Sequence, residues 1–281
     1  MQKQVGTFSS HVPQGNLRVG WLQMALSWEQ PSRNIERFEQ MLERWGKEAE
    51  VWVLPEMWST GFSMNTAIAE KEGGMALMAM QRWAESYQAL FIGSLMVRVG
   101  HQVCNRLYGV YPNRGFFSYD KRHLFRMAGE QEHYVGGNRQ VVLEWKGWRI
   151  APQICYDLRF PVWSRLSKRY TYDLLVYVAN WPAARHFHWQ TLLSARAIEN
   201  QAYVLGVNRV GKDGNGYHYR GGSTLVDFQG RHVLHAGEAE GAFVASIAYQ
   251  ALADYRDTFP AWRDADNFEF SPPVEVDLCF P

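Results

Sequence analysis

Short apolar segments alternate with longer amphipathic ones along most of the sequence, and this alternation restricts the fold more than any other feature. Residues 17–24, 51–55 and 90–98 are apolar and rich in strand-forming side chains. Pro31 opens a segment in which apolar side chains recur at helical spacing, and residues 75–89, which contain neither Gly nor Pro, are typical of a second helix. Strands that are mostly separated by single helices predict an α/β fold built in layers.

The second half of the chain shows the same alternation of predicted strands and helices as the first. Helices are predicted at 161–170 and 186–200, on either side of a strand at 173–180. The further predicted strands are 105–112, 115–120, 141–145, 148–155, 202–210, 223–228, 231–236 and 241–247. Because both halves have a similar order of strands and helices, we expect two sheets that pack face to face, with helices on the outside.

The length and composition favour one large domain. The chain has 281 residues, of which 47% are apolar, and no linker rich in Ser, Gly or Pro divides it. We expect a single domain over residues 17–281. Residues 1–16 are polar and lack the apolar core of a signal peptide, so they are expected to be a flexible lead-in.

The charge and the cysteines exclude several function classes. The net charge is +1 with acids and bases interspersed, so no basic surface for nucleic acid or for an anionic membrane is predicted. No apolar stretch approaches the roughly 18 residues that a membrane span needs. Three scattered cysteines fit neither a disulfide framework nor a zinc site, and they favour the reducing cytoplasm.

Three side chains that carry chemistry stand where predicted strands end. They are Glu56, Lys121 and Cys155. In layered α/β folds, reactive groups collect where strands end and the chain turns towards a crevice. A thiolate attacks carbonyl and nitrile carbon, and it needs a base or a cation beside it. Each residue alone is more often a loop acid, a turn charge or a buried thiol, but together they supply a base, an oxyanion-stabilising cation and a nucleophile.

The segments around these residues resemble the three signature segments of the nitrilase superfamily of carbon–nitrogen hydrolases. The segments are PE at 55–56, YDKRHLF at 119–125 and CYDLRFP at 155–161. The resemblance covers the chain from about Leu17 to about Phe268. It implies a four-layer α-β-β-α sandwich and a triad of Glu56, Lys121 and Cys155. It also implies that the protein needs no cofactor and no metal, and that it pairs as a homodimer.

The resemblance assigns supporting roles as well. The family commonly carries a second glutamate that positions the lysine; Glu130 is the better match by position, and Glu132 remains an alternative. On the residues alone, Glu130 is equally well explained as a loop acid paired with Arg126. The backbone N–H of Tyr156 is expected to join the Lys121 ammonium in stabilising an oxyanion.

Within the superfamily, the closer resemblance is to the omega-amidase branch, and it is carried by residues 177–211 and 254–270. Those enzymes hydrolyse the side-chain amide of 2-oxo acids such as 2-oxoglutaramate and 2-oxosuccinamate, so the implied reactants are a small amide and water.

Two kinds of alternative function remain. One is another aliphatic amidase, a carbamoylase or a nitrilase of the same superfamily. The other is a catalytically idle member that binds a metabolite or a protein.

A 2-oxo acid brings a carboxylate that needs a cation, and two arginines are candidates. Arg159 lies four residues after Cys155, and Arg185 follows the segment ANWPA. The planar fork of either guanidinium suits a carboxylate. Arg159 is also a candidate for a structural ion pair with Glu199.

Aromatic and histidine side chains lie near the motifs. Trp58, Phe62 and Trp181 are expected to line the pocket, although aromatic side chains at such spacing also build hydrophobic cores.

His186 and His188 form an H-x-H pair. Because they face different sides of a helix and no third ligand stands at useful spacing, we expect surface histidines rather than a metal site.

Overall fold

The computed structural model describes residue 13 and residues 15–281. Most of the predicted lead-in at 1–16 therefore lies outside the described residues, and its last residue, Asn16, begins the first strand. The strands are β1 (Asn16–Gln23), β2 (Val51–Val53), β3 (Glu70–Lys71), β4 (Leu90–Val99), β5 (Gln102–Val110), β6 (Phe116–Asp120), β7 (Arg139–Trp145), β8 (Trp148–Ile154), β9 (Leu174–Ala179), β10 (Tyr203–Asn208), β11 (Val210–Lys212), β12 (His218–Arg220), β13 (Thr224–Val226), β14 (His232–His235), β15 (Gly241–Ala248) and β16 (Glu275–Cys279).

Helices connect many of these strands. They are α1 (Pro31–Trp45), α2 (Met75–Tyr87), α3 (Glu130–His133), α4 (Pro161–Ser164), α5 (His186–Asn200) and α6 (Tyr249–Thr258). Short 3-10 helices add single turns, of which Cys155–Arg159 matters most for the site. Among the described residues, no helix has both the length and the apolar character that a membrane crossing requires.

Two large sheets and one small hairpin contain the strands of the described residues. The first sheet has the order β15-β1-β2-β4-β5-β6, with β3 paired to β4, and the second has the order β14-β13-β10-β9-β8-β7-β16. The hairpin consists of β11 and β12. Strands β1, β2 and β4 are parallel neighbours, and so are β8, β9 and β10. Parallel neighbours need a crossover connection, which explains why strands and helices alternate in the sequence.

The two sheets pack face to face, and helices cover their outer faces. Val19 of the first sheet and Val176 of the second belong to one buried cluster between the sheets. On the outer face of the first sheet, Phe38 of α1 and Leu77 of α2 enter a second cluster. Leu193 of α5 enters a third cluster on the outer face of the second sheet. The prediction of a four-layer α-β-β-α sandwich is confirmed.

Helix α1 shows how the sequence pattern produces this packing. Pro31 occupies the first turn, where its missing N–H has no intrahelical partner to lose. Ile35, Phe38 and Leu42 follow at intervals of three and four residues and are buried against the first sheet. Burying such a side chain contributes about 1.5–3 kcal/mol to stability, so this stripe fixes the helix on the sheet.

The predicted helix at 161–170 is wrong beyond Ser164. The backbone N–H of Leu166 donates to Asn200 Oδ1 at 2.9 Å, and the Arg165 side chain donates to the backbone oxygen of Glu199 at 2.5 Å. These residues bind the C-terminal end of α5 instead of extending α4.

Three elements near the end of the chain were not predicted. They are β12, α6 and β16. Helix α6 has one buried residue, Leu252, so its apolar pattern is weak. Strand β16 has alternating charged and apolar residues and gains its order from parallel pairing with β7, which lies far away in the sequence.

Candidate active site

Glu56, Lys121 and Cys155 meet at one end of the sandwich. Glu56 follows β2 and Lys121 follows β6, both in the first sheet, whereas Cys155 directly follows β8 in the second. All three line a cavity of about 780 Å³, which is within the size range of ligand sites. The structure therefore brings the three predicted strand ends into one site, built by both sheets.

Cys155 lies on a strained turn. It begins the 3-10 helix Cys155–Arg159, and its φ of 42° is in the left-handed region that residues with a Cβ atom rarely adopt. Such strain costs about 1–3 kcal/mol and is concentrated at functional sites. The turn ends the strand and leaves Cys155 partly exposed in the cavity wall.

Glu56 is fully buried and is held through both carboxylate oxygens. Its Oε1 accepts hydrogen bonds from Lys121 Nζ and Asn105 Nδ2, each at 2.8 Å, and its Oε2 accepts one from the backbone N–H of Asn180 at 2.8 Å. The Cys155 thiol lines the same cavity as this carboxylate. A carboxylate that shares a cavity with a thiol and acts on its pKa is placed to serve as its general base.

Glu130 is the second glutamate of the site. Its Oε1 lies 3.0 Å and its Oε2 2.9 Å from Lys121 Nζ, and its Oε2 accepts the backbone N–H of Phe125 at 2.6 Å. Glu130 is fully buried, whereas Glu132 is exposed. Of the two alternatives, Glu130 therefore stands beside the lysine, and its ion pair is with Lys121 rather than with Arg126.

Burial and charge together set the protonation of the site. Burial alone would lower the pKa of Lys121, but the carboxylates of Glu130 and Glu56 outweigh it and raise this pKa above its usual value. Burial raises the pKa of Glu130, against the opposing charge of Lys121. Burial, followed by the negative charge of Glu56, raises the pKa of the Cys155 thiol well above its usual value. The resting site therefore holds a neutral thiol beside a charged lysine.

Tyr156 and Phe62 lie beside the reactive groups. Tyr156 is the second residue of its 3-10 helix and lines the cavity. Backbone N–H groups in the first turn of a helix have no intrahelical acceptor, so the N–H of Tyr156 is suited to bind an oxyanion. Phe62 also lines the cavity, with its ring centre 5.0 Å from Lys121 Nζ.

Arg159 and Arg185 both line the cavity. The Arg159 guanidinium lies 4.9 Å from the centre of the Trp181 ring, and its Nη2 lies 3.0 Å from His188 Nδ1. Burial, followed by the positive charge of Arg185, lowers the pKa of Arg159. The alternative ion pair of Arg159 with Glu199 is wrong, because Glu199 pairs with another arginine of α5. Two guanidinium groups close together in one cavity favour an anionic ligand.

Trp181 lines the cavity as predicted, but the prediction for Trp58 is wrong. Trp58 is fully buried on the helix-covered side of the first sheet, where its ring centre lies 5.2 Å from that of Phe38 and 5.3 Å from that of Trp83. Met57, which directly follows Glu56, has a φ of 44°. This turn sends the next side chain away from the cavity and into the core.

The two histidines at the start of α5 have different neighbours. His188 contacts Arg159, whereas burial, followed by the charge of Arg220, lowers the pKa of His186. Within the part of the chain that the structure describes, no three His, Cys, Asp or Glu side chains lie together as a metal site requires.

Two buried asparagines at the site were not predicted. Asn105 Nδ2 donates to Glu56 Oε1 at 2.8 Å and to Glu130 Oε1 at 3.3 Å, and thus bridges the two carboxylates. Asn180 Nδ2 donates to the backbone oxygen of Glu56 at 2.5 Å. The Oδ1 atoms of both asparagines are buried without a hydrogen-bond partner among the described residues. Such orphaned atoms are destabilising, which indicates that the amide donors are needed by the glutamates.

The hairpin of β11 and β12 forms a further wall of the cavity. Asp213, Asn215, Tyr217 and Tyr219 of this segment line it. The Asp213 carboxylate accepts the backbone N–H groups of Asn215 and Tyr217, each at 2.9 Å, and the hydroxyl of Tyr219 at 2.8 Å. This carboxylate stabilises the turn of the hairpin.

The chain is similar in sequence to proteins named as amidases. It matches the model of the carbon–nitrogen hydrolase family over residues 18–257. It is 47% identical over 253 residues to omega-amidase YafV of Yersinia enterocolitica, covering 90% of this chain and 98% of that protein. It is 33% identical over 251 residues to 2-oxoglutaramate amidase of Bacillus subtilis (strain 168), covering 88% of this chain and 96% of that protein.

A solved structure is similar over nearly the same length. It is that of a carbon–nitrogen hydrolase superfamily protein from Xanthomonas campestris, with an arsenic adduct in its active site. The TM-score is 0.88 at 40% sequence identity, covering 91% of this chain and 99% of that chain. Sequence and fold thus agree with the resemblance seen in the three signature segments, and the chain belongs to the carbon–nitrogen hydrolase family.

Proposed function

We propose that this protein is an omega-amidase, which hydrolyses the terminal amide of 2-oxo acid amides such as 2-oxoglutaramate and 2-oxosuccinamate to the dicarboxylate and ammonia. One observation carries the proposal: the thiol of Cys155, the carboxylate of Glu56 and the ammonium of Lys121 meet in one cavity that also contains two arginines. The relatives named omega-amidase and 2-oxoglutaramate amidase support this substrate class.

The first half of the reaction forms a thioester. Glu56 takes the proton of the Cys155 thiol, and the sulfur attacks the amide carbon. The negative charge that develops on the amide oxygen is stabilised by the ammonium of Lys121 and the backbone N–H of Tyr156. Glu56 then gives the proton to the nitrogen, the carbon–nitrogen bond breaks and ammonia leaves.

The second half releases the acid. Glu56 takes a proton from water, and the resulting hydroxide adds to the thioester carbon. The carbon–sulfur bond then breaks, the carboxylic acid is released, and Glu56 returns the proton to the sulfur to restore the Cys155 thiol. Glu130 acts through Lys121: its carboxylate, with Oε1 3.0 Å and Oε2 2.9 Å from Nζ, keeps the ammonium charged and in place. The ammonium of Lys121 and the backbone N–H of Tyr156 stabilise the oxyanion in both halves of the reaction, so one rigid arrangement of these groups is sufficient for both.

Arg159 and Arg185 are proposed to bind the carboxylate of the 2-oxo acid. Both lie in the cavity wall, and the ring of Trp181 supports the guanidinium of Arg159. Charge-assisted hydrogen bonds from a guanidinium to a carboxylate are short and about twice as strong as neutral ones. Binding at this end of the substrate leaves the opposite amide directed to Cys155.

A panel of amides tests the proposed substrate class. We expect purified protein to release ammonia from 2-oxoglutaramate much faster than from glutamine, N-carbamoyl amino acids or nitriles, with ammonia measured by a coupled assay. Preference for a carbamoyl amino acid or a nitrile would instead favour a carbamoylase or a nitrilase. If no compound releases ammonia and iodoacetamide labels Cys155 no faster than the buried Cys104 and Cys279, the idle-member alternative is favoured.

Loss of either cavity arginine should damage recognition of the acid. We expect Arg159→Met or Arg185→Met to lower kcat/KM for 2-oxoglutaramate by about 10- to 100-fold, because a hydrogen bond to a charged group contributes about 1.5–3 kcal/mol. Turnover of pentanamide, a neutral amide of the same length, should change little. Arg82→Met is the matched control, since Arg82 pairs with Glu39 on the helix-covered surface. An equal loss for both amides would show that the arginines do not bind the carboxylate.

We also propose a cytoplasmic homodimer. The family resemblance implies the pairing, and the exposed apolar side chains of Val162, Phe187 and Phe259 provide surface that a second copy would cover. The three cysteines are free, which is consistent with a reducing compartment.

A further inference from the structure

Asp157, two residues after Cys155, is a fully buried carboxylate that makes four hydrogen bonds. Its Oδ1 accepts the backbone N–H of His123 at 3.0 Å and contacts His123 Nδ1 at 2.9 Å. Its Oδ2 accepts the hydroxyl of Tyr119 at 2.7 Å and the backbone N–H of Ile154 at 3.0 Å. Both carboxylate oxygens of Asp157 are therefore hydrogen-bonded, and the proposed mechanism assigns this carboxylate no role in the reaction.

The partners of Asp157 belong to the two segments that carry the nucleophile and the cation. Ile154 directly precedes Cys155, whereas Tyr119 and His123 stand two residues before and two residues after Lys121. One carboxylate thus joins the end of β8 in the second sheet to the end of β6 in the first. It also bonds back across the strained turn at Cys155, as the acid of a capping box does at the start of a helix.

The groups around Asp157 are themselves fixed. The Tyr119 hydroxyl, which donates to Asp157, accepts Trp163 Nε1 at 2.9 Å and the backbone N–H of Arg122 at 3.3 Å. The His123 ring is stacked on Phe160, with ring centres 3.7 Å apart. A carboxylate whose partners are packed and hydrogen-bonded in this way holds two chain segments at a fixed separation.

We propose that Asp157 is a positioning residue for the reaction, which holds the sulfur of Cys155 and the ammonium of Lys121 in register by tying both segments to one buried carboxylate. The inference depends on the proposed thiol chemistry. It extends that chemistry because Asp157 touches no reacting atom and acts through the two chain segments it joins. Displacement of reacting groups by about 1 Å costs about 10²-fold in rate, so a small slip between these segments is enough to disable the site.

The variant Asp157→Asn tests the proposal. Its amide keeps the shape of the carboxylate but turns one oxygen into an N–H donor, so in either orientation a backbone N–H, of His123 or of Ile154, faces another donor. We expect kcat to fall by about 10²-fold with little change in KM. Iodoacetamide should also alkylate Cys155 more slowly, because Lys121 would no longer stabilise the thiolate.

Asp173→Asn is the matched control. Asp173 is a buried carboxylate at the opposite end of β9, where it accepts the backbone N–H of Arg149 at 3.1 Å and Arg256 Nη1 at 3.0 Å. This control should lower the unfolding temperature while kcat and the alkylation rate stay at wild-type values. If Asp157→Asn does not fold, Tyr119→Phe, which removes one of the four hydrogen bonds, should show a smaller fall in kcat and in alkylation.

The proposal is overturned if the folded Asp157 variant, assayed well below its unfolding temperature, keeps the kcat and alkylation rate of the wild type. Equal losses of kcat in the Asp157 and Asp173 variants would overturn it as well, because they would reflect stability alone. Failure of the proposed function has a different signature: the wild type itself would release no ammonia, while the alkylation rates would still compare the two variants.

Discussion

Cys155→Ala is expected to abolish ammonia release from every amide while the protein stays folded. Removing the nucleophile from a hydrolase triad costs about 10⁶-fold in kcat. Alanine keeps the Cβ atom, so the left-handed backbone at this position is no more strained than before. Ammonia release and a thermal unfolding curve of the same preparation measure the two halves of this expectation.

A control and a trapped intermediate make this result specific. Cys104→Ala removes a buried thiol on β5, which does not line the cavity, and should leave turnover unchanged. Wild-type protein quenched in acid during turnover should carry the mass of the acyl group on Cys155, and Cys155→Ala should not. Ammonia release by Cys155→Ala at the wild-type rate would rule out the thioester mechanism.

Lys121→Met is expected to remove both activity and stability. Loss of one oxyanion donor lowers kcat by about 10²–10³-fold. In addition, the variant leaves Glu56 and Glu130 buried without their counter-charge, and breaking a buried ion pair in this way destabilises a protein by about 3–5 kcal/mol. Initial rates and urea unfolding measure these losses separately.

The double variant Lys121→Met/Glu130→Gln separates the two roles of Lys121. Neutralising Glu130 leaves a single buried carboxylate, so part of the lost stability should return. Activity should not return, because no cation has been restored beside Cys155. Recovery of turnover together with stability would mean that Lys121 serves only the fold.

The residues that meet at the site were predictable because each stands where an apolar strand ends. Glu56, Lys121 and Cys155 follow β2, β6 and β8, and strand ends of a layered α/β fold gather at one edge. Sequence position also favoured Glu130 over Glu132. The ion pair of Glu130 with Lys121, however, depends on the three-dimensional structure and could not be predicted from the sequence. The catalytic roles of all these residues stay predictions that the variants above test.

Other features depend on contacts between distant parts of the chain, which no local pattern reveals. Asn105 lies within β5, and only the convergence of Glu56 and Glu130 on its amide distinguishes it from any other strand residue. The direction of Trp58 depends on the backbone turn at Met57, which a methionine does not signal. The early end of α4 depends likewise on hydrogen bonds to the end of α5.

The pairing of one buried ammonium with two carboxylates has a consequence for how the reaction finishes. An uncharged amide enters beside Glu56 and Glu130, but hydrolysis leaves an anion at the same place. Three negative charges then share Lys121, and because the side chains of Glu56, Glu130 and Lys121 are fully buried, water screens the repulsion between these charges only weakly. The product is consequently held less firmly at this end than the substrate was, so the charge layout that assists bond cleavage also speeds the departure of the acid.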